Sequence, residues 1–155
     1  MTALVFLSLF ISLIPLDESG LEIMIQENRG SVLVVNFWAT WCGPCREEFP
    51  DLVQLYEEKR SEGLRLASIS MDEPEEQEAA QQFLIDQQAS FPSYIRNFED
   101  FAEFVDKIDP EWSGALPATF IFDRNGKRAF SNVGKVTYSD LLDQVQPLLE
   151  ARSDR

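Results

Sequence analysis

The sequence predicts an α/β domain built on a central mixed β-sheet with helices on both faces. Three observations predict it. Strand-like apolar runs alternate with amphipathic helical patterns through the first two thirds of the chain, which gives parallel pairing by right-handed crossovers. Near the C-terminus two strand-like runs flank Asn125-Gly126, the signal of a hairpin and hence of an antiparallel pair. The chain has 155 residues, 45% of them hydrophobic, enough for one core.

Taken in order, Ala3 to Leu16 is nearly all apolar but shorter than the ~20 residues a bilayer span needs. Residues 1–9 read as a remnant export signal or a hydrophobic N-terminal segment, although no basic residue precedes the run and no small-residue cleavage site follows it. The domain proper takes residues 10–155, with Phe10 to Leu16 leading into a first strand. Ser19 to Asn28 has a short helical pattern on Leu21, Met24 and Ile25, with Ser19 placed to cap it. Ser31 to Ala39 is a continuous β-branched and aromatic run, as in a strand buried on both faces.

A helix is expected from Cys42 to Lys59, with Phe49, Leu52, Val53, Leu55 and Tyr56 inward and a kink at Pro50. Leu64 to Ser70 alternates and reads as a second strand. A turn at Met71 to Pro74 leads to a helix over Glu75 to Gln88 that buries Ala79, Ala80, Phe83 and Leu84. Phe91 to Ile95 reads as a short strand, and Phe98 to Ile108 as a helix with Phe101, Phe104 and Val105 on one face. Asp109 to Gly114 is a loop, Ala118 to Phe122 a strand, and Lys127 to Val133 its edge partner. Tyr138 to Glu150 closes the fold, with Leu141, Leu142, Val145 and Leu148 inward.

The formal net charge is −14, which opposes binding to nucleic acid and to anionic membrane surfaces. The acidic residues, among them Glu47, Glu48, Asp72, Glu73, Glu75, Glu76 and Glu78, read as solvated helix faces. There are two cysteines and no histidine. Ser-His-Asp and Cys-His catalysis are therefore excluded, and two cysteines supply half a zinc site, so no metal is expected. A disulfide between residues three apart closes too small a loop to act as a staple. Redox chemistry remains.

That chemistry centres on Trp41-Cys42-Gly43-Pro44-Cys45. Cys42 lies where a buried strand ends and a helix begins, and a helix N-terminus favours a thiolate. Cys42 is thus the attacking thiol. Cys45, one turn on, resolves the mixed disulfide. Gly43 and Pro44 set the turn, and Trp41 is expected at the surface. Phe37 and Trp38 are expected in the core.

The stretch Val35 to Pro50 (VNFWATWCGPCREEFP), with Leu116-Pro117-Ala118-Thr119-Phe120 and Asn125-Gly126, resembles the thioredoxin superfamily and, within it, the TlpA/ResA-like thiol-disulfide oxidoreductases. The resemblance implies a thioredoxin-like fold with an extra helix and strand before a cis-proline at Pro117. It implies that Leu116 offers its backbone to an extended client. Where thioredoxins carry a buried aspartate this chain has Asn36, and an amide cannot act as a base. The resemblance moves that role to Glu48, whose other reading is a solvent-facing helix glutamate; Glu47 is the weaker candidate. Trp112 is either part of a substrate lip or a packing residue.

The function implied is exchange of electrons between the Cys42–Cys45 pair and protein disulfides, as a reductant. Alternatives are a redoxin-type thiol peroxidase and a client-binding module without turnover. No cofactor is expected beyond the redox-active disulfide. The partners implied are protein or peptide disulfide clients and an upstream thiol electron donor, with the protein a monomer. The location implied is periplasmic or otherwise extracytoplasmic, with or without a membrane tether; the alternative is cytoplasmic.

Overall fold

All seven residues of β2 (Val32–Trp38) are buried, and the sheet is assembled around them. The computed structural model describes residues 12–151. The expected export signal at residues 1–9 lies outside them. The elements are β1 (Ile14–Leu16), α1 (Gly20–Glu27), β2, α2 (Gly43–Lys59), β3 (Leu64–Ser70), α3 (Gln77–Asp86), β4 (Ser93–Arg96), α4 (Phe101–Ile108), β5 (Ala118–Phe122), β6 (Arg128–Val133) and α5 (Tyr138–Glu150). The strand order is β1-β4-β3-β2-β5-β6. β2 pairs in parallel with β3 and antiparallel with β5. The β5–β6 hairpin is antiparallel. This is the mixed sheet expected. β4 lies between β1 and β3 in the sheet, with α3 before it and α4 after it in the chain.

Side chains alternate across a strand, so β2 feeds two cores. Val32, Val34 and Trp38 pack in the cluster that contains Phe49, Leu52 and Leu55 of α2 and Leu141, Val145 and Leu149 of α5. Leu33, Val35 and Phe37 pack in the other, with Leu21 and Met24 of α1 and Phe104 and Val105 of α4. Asn36 shares the parity of Val34 and Trp38 and therefore faces α2.

Several elements differ from expectation. Ser19 stands before α1, but its side chain makes no capping bond; its amide instead donates to Asp17 Oδ1 at 3.0 Å. Of the polar positions of β3, Arg65 is exposed but Ser68 and Ser70 are fully buried. Ser68 Oγ donates to Ser93 Oγ at 2.9 Å, so each hydroxyl has a partner. Pro74–Glu76 forms a 3₁₀ turn, and α3 begins two residues late, at Gln77. Ala80, Phe83 and Leu84 are buried as expected, but Ala79 is exposed. Asp100 caps α4 by accepting from the Glu103 amide at 2.8 Å, which delays that helix to Phe101. On α5 the buried residues are Leu141, Val145 and Leu149, a strict four-residue spacing. Leu142 and Leu148 are only partly covered. α2 continues through Pro50, which is exposed.

In the hairpin, Gly126 adopts φ +79°, a conformation that suits glycine. Asp123 Oδ1 accepts from the amides of Asn125 and Lys127, both at 2.9 Å. The start of α5 carries a capping box. Asp140 N donates to Thr137 Oγ1 at 3.2 Å, and Thr137 N donates to Asp140 Oδ2 at 2.9 Å. Thr137→Ala is expected to lower the unfolding free energy by about 1 kcal/mol, read as a shifted urea midpoint with unchanged slope.

Candidate active site

The chain leaves β2 at Trp38 and turns, with the Cys42 amide donating to the Ala39 carbonyl at 3.2 Å. Cys42 is the N-cap of α2 rather than its first helical residue. Its Sγ accepts from the Cys45 amide at 3.3 Å. The sulfur thus takes the place of a capping oxygen, at the positive end of the helix dipole. Cys42 and Cys45 form a disulfide, with Cα atoms 5.3 Å apart. Cys42 is 6% exposed and Cys45 fully buried. Gly43 and Pro44 between them are exposed.

Trp41 is 69% exposed, as expected of a surface residue, whereas Phe37 and Trp38 are fully buried. The Leu116–Pro117 peptide is cis. Pro117 is buried and Leu116 half-buried. Trp41 and Leu116 line one concavity of about 290 Å³, together with Met71, Glu73, Arg96 and Phe101. The structure therefore brings the cysteine motif and the cis peptide to one surface.

Trp112 is a packing residue. It is 4% exposed, its ring lies 4.9 Å from Phe37 and 5.4 Å from Phe120, and its Nε1 donates to the Ala115 carbonyl at 3.0 Å. It holds the loop before Leu116 from below.

Glu48 is not a solvent-facing helix residue: it is 1% exposed. Its Oε1 accepts from Asn36 Nδ2 at 2.7 Å. Its Oε2 accepts from the Val136 amide at 2.9 Å. Asn36 Nδ2 also donates to Thr119 Oγ1 at 3.1 Å. Burial pushes the Glu48 carboxyl up to about 6. The bonds from Val136 and Asn36 hold it lower than burial alone would; Asp51 adds to the rise and Lys135 opposes it. Glu47 points away, exposed and paired with Lys135 at 3.0 Å. Asn36, an amide that cannot act as a base, thus orients the Glu48 carboxyl.

Asp72 also departs from the solvated-face reading, being fully buried. Val136 and Asp72 are the two site neighbours that sequence reasoning missed. Nothing in the local pattern marks the first. The second lies just past the end of a strand and is the first of five acidic residues between positions 72 and 78, so the pattern did not set it apart. Among the described residues no group of three or more His, Cys, Asp or Glu side chains is placed to hold a metal ion.

A thioredoxin-like sheet with a Cys-Gly-Pro-Cys disulfide capping its central helix defines a member of the thioredoxin superfamily. More particularly, the chain belongs to the AhpC/TSA family, whose sequence profile matches residues 11–129. It is similar to thiol-disulfide oxidoreductase ResA of Bacillus cereus (strain ZK / E33L), 29% identical over 133 residues, which cover 85% of this chain and 72% of that protein. It is similar to the ResA of Bacillus subtilis (strain 168) at 27% identity, over 84% of this chain and 70% of that one. Among solved structures, a thiol:disulfide interchange protein of the thioredoxin family from Chlorobium tepidum TLS superposes with a TM-score of 0.67 at 26% identity, covering 80% and 83% of the two chains. A secreted thiol-disulfide isomerase from Corynebacterium glutamicum superposes with a TM-score of 0.72 at 25% identity, covering 82% and 75%.

Proposed function

We propose that this protein is a thiol-disulfide oxidoreductase that reduces disulfides in protein clients through Cys42 and Cys45. The observation that carries the reading is the placement of Cys42: its sulfur caps α2, is bonded to a fully buried Cys45, and lies next to the exposed Trp41. Relatives named thiol-disulfide oxidoreductase across most of the chain support it over a thiol peroxidase or a binding module without turnover.

The structure holds the oxidised end state. Two electrons from an upstream dithiol reopen the bond. The Cys42 thiolate then attacks one sulfur of a client disulfide, forming a mixed disulfide and expelling a client thiolate, which takes up a proton. Cys45 loses its proton and attacks Cys42 Sγ. The second client thiolate leaves, and the Cys42–Cys45 bond reforms. Glu48, one turn beyond Cys45 and titrating near 6, is suited to accept the Cys45 proton at neutral pH. Trp41 and Leu116 flank the client, with Leu116 offering backbone groups beside the cis-proline. No cofactor is needed beyond the cysteine pair.

The work is extracytoplasmic, in keeping with the Corynebacterium neighbour, which is described as secreted. Among the described residues no helix is long and apolar enough to cross a membrane.

Trapping tests the reading. Cys45→Ala is expected to accumulate mixed disulfides with client proteins, visible as high-mass bands on non-reducing gels that collapse with dithiothreitol. Absence of such adducts, together with no insulin reduction by the wild type, would overturn it.

A further inference from the structure

Asp72 is a fully buried carboxylate that the chemistry above leaves unused. It lies two residues past the end of β3, beside the turn that delivers Cys42. Its Oδ1 accepts from the Thr40 hydroxyl at 2.6 Å and the Thr40 amide at 3.2 Å. Its Oδ2 accepts from the same amide at 3.0 Å and from the Ser70 hydroxyl at 2.6 Å. Ser70 Oγ in turn accepts from the Asp72 amide at 3.1 Å.

The carbonyl of Thr40 is held as well. Arg46, in the first turn of α2, donates to it from Nη1 at 3.4 Å. The same guanidinium lies 4.7 Å over the Phe83 ring. Next to this, the Met71 amide donates to the Trp38 carbonyl at 2.7 Å. Every polar atom of Thr40 is therefore engaged, either to the end of β3 or to α2. Thr40 immediately precedes Trp41 and stands two residues before Cys42.

A buried carboxylate is costly, and among the described residues no cation forms a salt bridge with Asp72. Two neutral groups would join β3 to the turn at smaller cost. A carboxylate adds the ability to accept from an amide and two hydroxyls at once, with strong directional bonds. Such bonds fix a backbone in place more than they stabilise a fold.

We propose that Asp72 is a positioning residue for the attacking thiol. Through Thr40 it fixes the Ala39–Cys42 turn, and so sets how the Cys42 sulfur sits at the start of α2 and beside Trp41. The inference rests on Cys42 being the attacking residue. Small displacements at a reacting centre are enough to cost an order of magnitude or more in rate.

The test uses three single variants and one double variant of the full chain. Asp72→Asn turns one acceptor into a donor facing donors. Thr40→Val removes only the hydroxyl, and Thr40→Ser restores it. The double variant Asp72→Asn/Thr40→Val reports coupling. Asp72→Asn is expected to lower kcat for insulin reduction by about tenfold with KM within about twofold. Thr40→Val is expected to lose severalfold, Thr40→Ser to recover most of the loss, and the double variant to be no slower than Asp72→Asn alone. The pH profile of iodoacetamide alkylation of reduced Cys42 is expected to move in Asp72→Asn.

A lowered melting temperature with unchanged kcat and an unchanged alkylation profile would make Asp72 a structural residue only. Should Asp72→Asn fail to fold, equal rates for Thr40→Val and Thr40→Ser would overturn the proposal by themselves. The control is Cys42→Ala. If that variant stays active, the reading of the site itself fails; if it is dead while Asp72→Asn and Thr40→Val run at wild-type rates, only the role of Asp72 fails.

Discussion

Cys42→Ala is expected to abolish disulfide reduction, lowering the insulin-reduction rate by at least about a thousandfold to the uncatalysed background. The expectation is this severe because nothing in the chain can substitute. The sequence has two cysteines and no histidine, so removal of Cys42 leaves a single thiol. That thiol, on Cys45, is fully buried within α2 and has no access to a client disulfide. Loss of fold does not confound the measurement. The lost bond spans residues three apart, and so small a loop removes little entropy from the unfolded chain. The variant should therefore keep a melting temperature close to that of the reduced wild type while turning over nothing. Turnover well above background in a folded Cys42→Ala protein would refute the assignment of the nucleophile.

Those two sulfurs were legible because their context is local. A buried run followed directly by Cys-x-x-Cys and an amphipathic helix places the first cysteine at a helix start, and the structure adds only that Cys42 is the cap itself. β2 was legible for a similar reason: an unbroken apolar run admits few solutions other than a strand covered on both faces. The supporting contacts were not. Glu48 accepts from the amide of Val136, 88 positions away, and a backbone amide has no sequence signature. Asp72 falls among five acidic residues between positions 72 and 78, four of them exposed. Composition could not single out the one that β3 carries inside. Trp112 belonged equally to a lip or a core until the rings of Phe37 and Phe120 were placed beneath it. Ala79 shows a third kind of limit. Ala80, Phe83 and Leu84 share the buried face of α3, and Ala79, one residue and about 100° away from Ala80, falls outside it.

Glu48→Gln is expected to remove a pH dependence of stability of about 2 kcal/mol that the wild type carries between pH 4 and 7.5. The sign follows from burial. The carboxyl titrates at 4.5 when unfolded and at about 6 in the folded protein. Below 4.5 it is protonated in both states and exacts nothing. As pH rises through this window the unfolded chain releases its proton first, so the folded state is penalised, and the penalty levels off only after pH has passed beyond the folded value of about 6. The wild type should thus lose stability relative to Glu48→Gln as pH rises, even though other carboxylates shift both proteins together. Unfolding in urea, with the two proteins compared at each pH, isolates the difference. The amide also forfeits an acceptor, since it cannot take bonds from both Asn36 Nδ2 and the Val136 amide through two oxygens, and that loss is a pH-independent offset. A difference that stays flat from pH 4 to 7.5 would return the carboxyl to its ordinary value and with it remove the reason to assign Glu48 the Cys45 proton. A difference of the expected size would mean that the fold keeps, one turn beyond Cys45 on α2, a buried carboxylate that destabilises it at neutral pH, a cost more readily understood for a group that accepts a proton than for one that only packs.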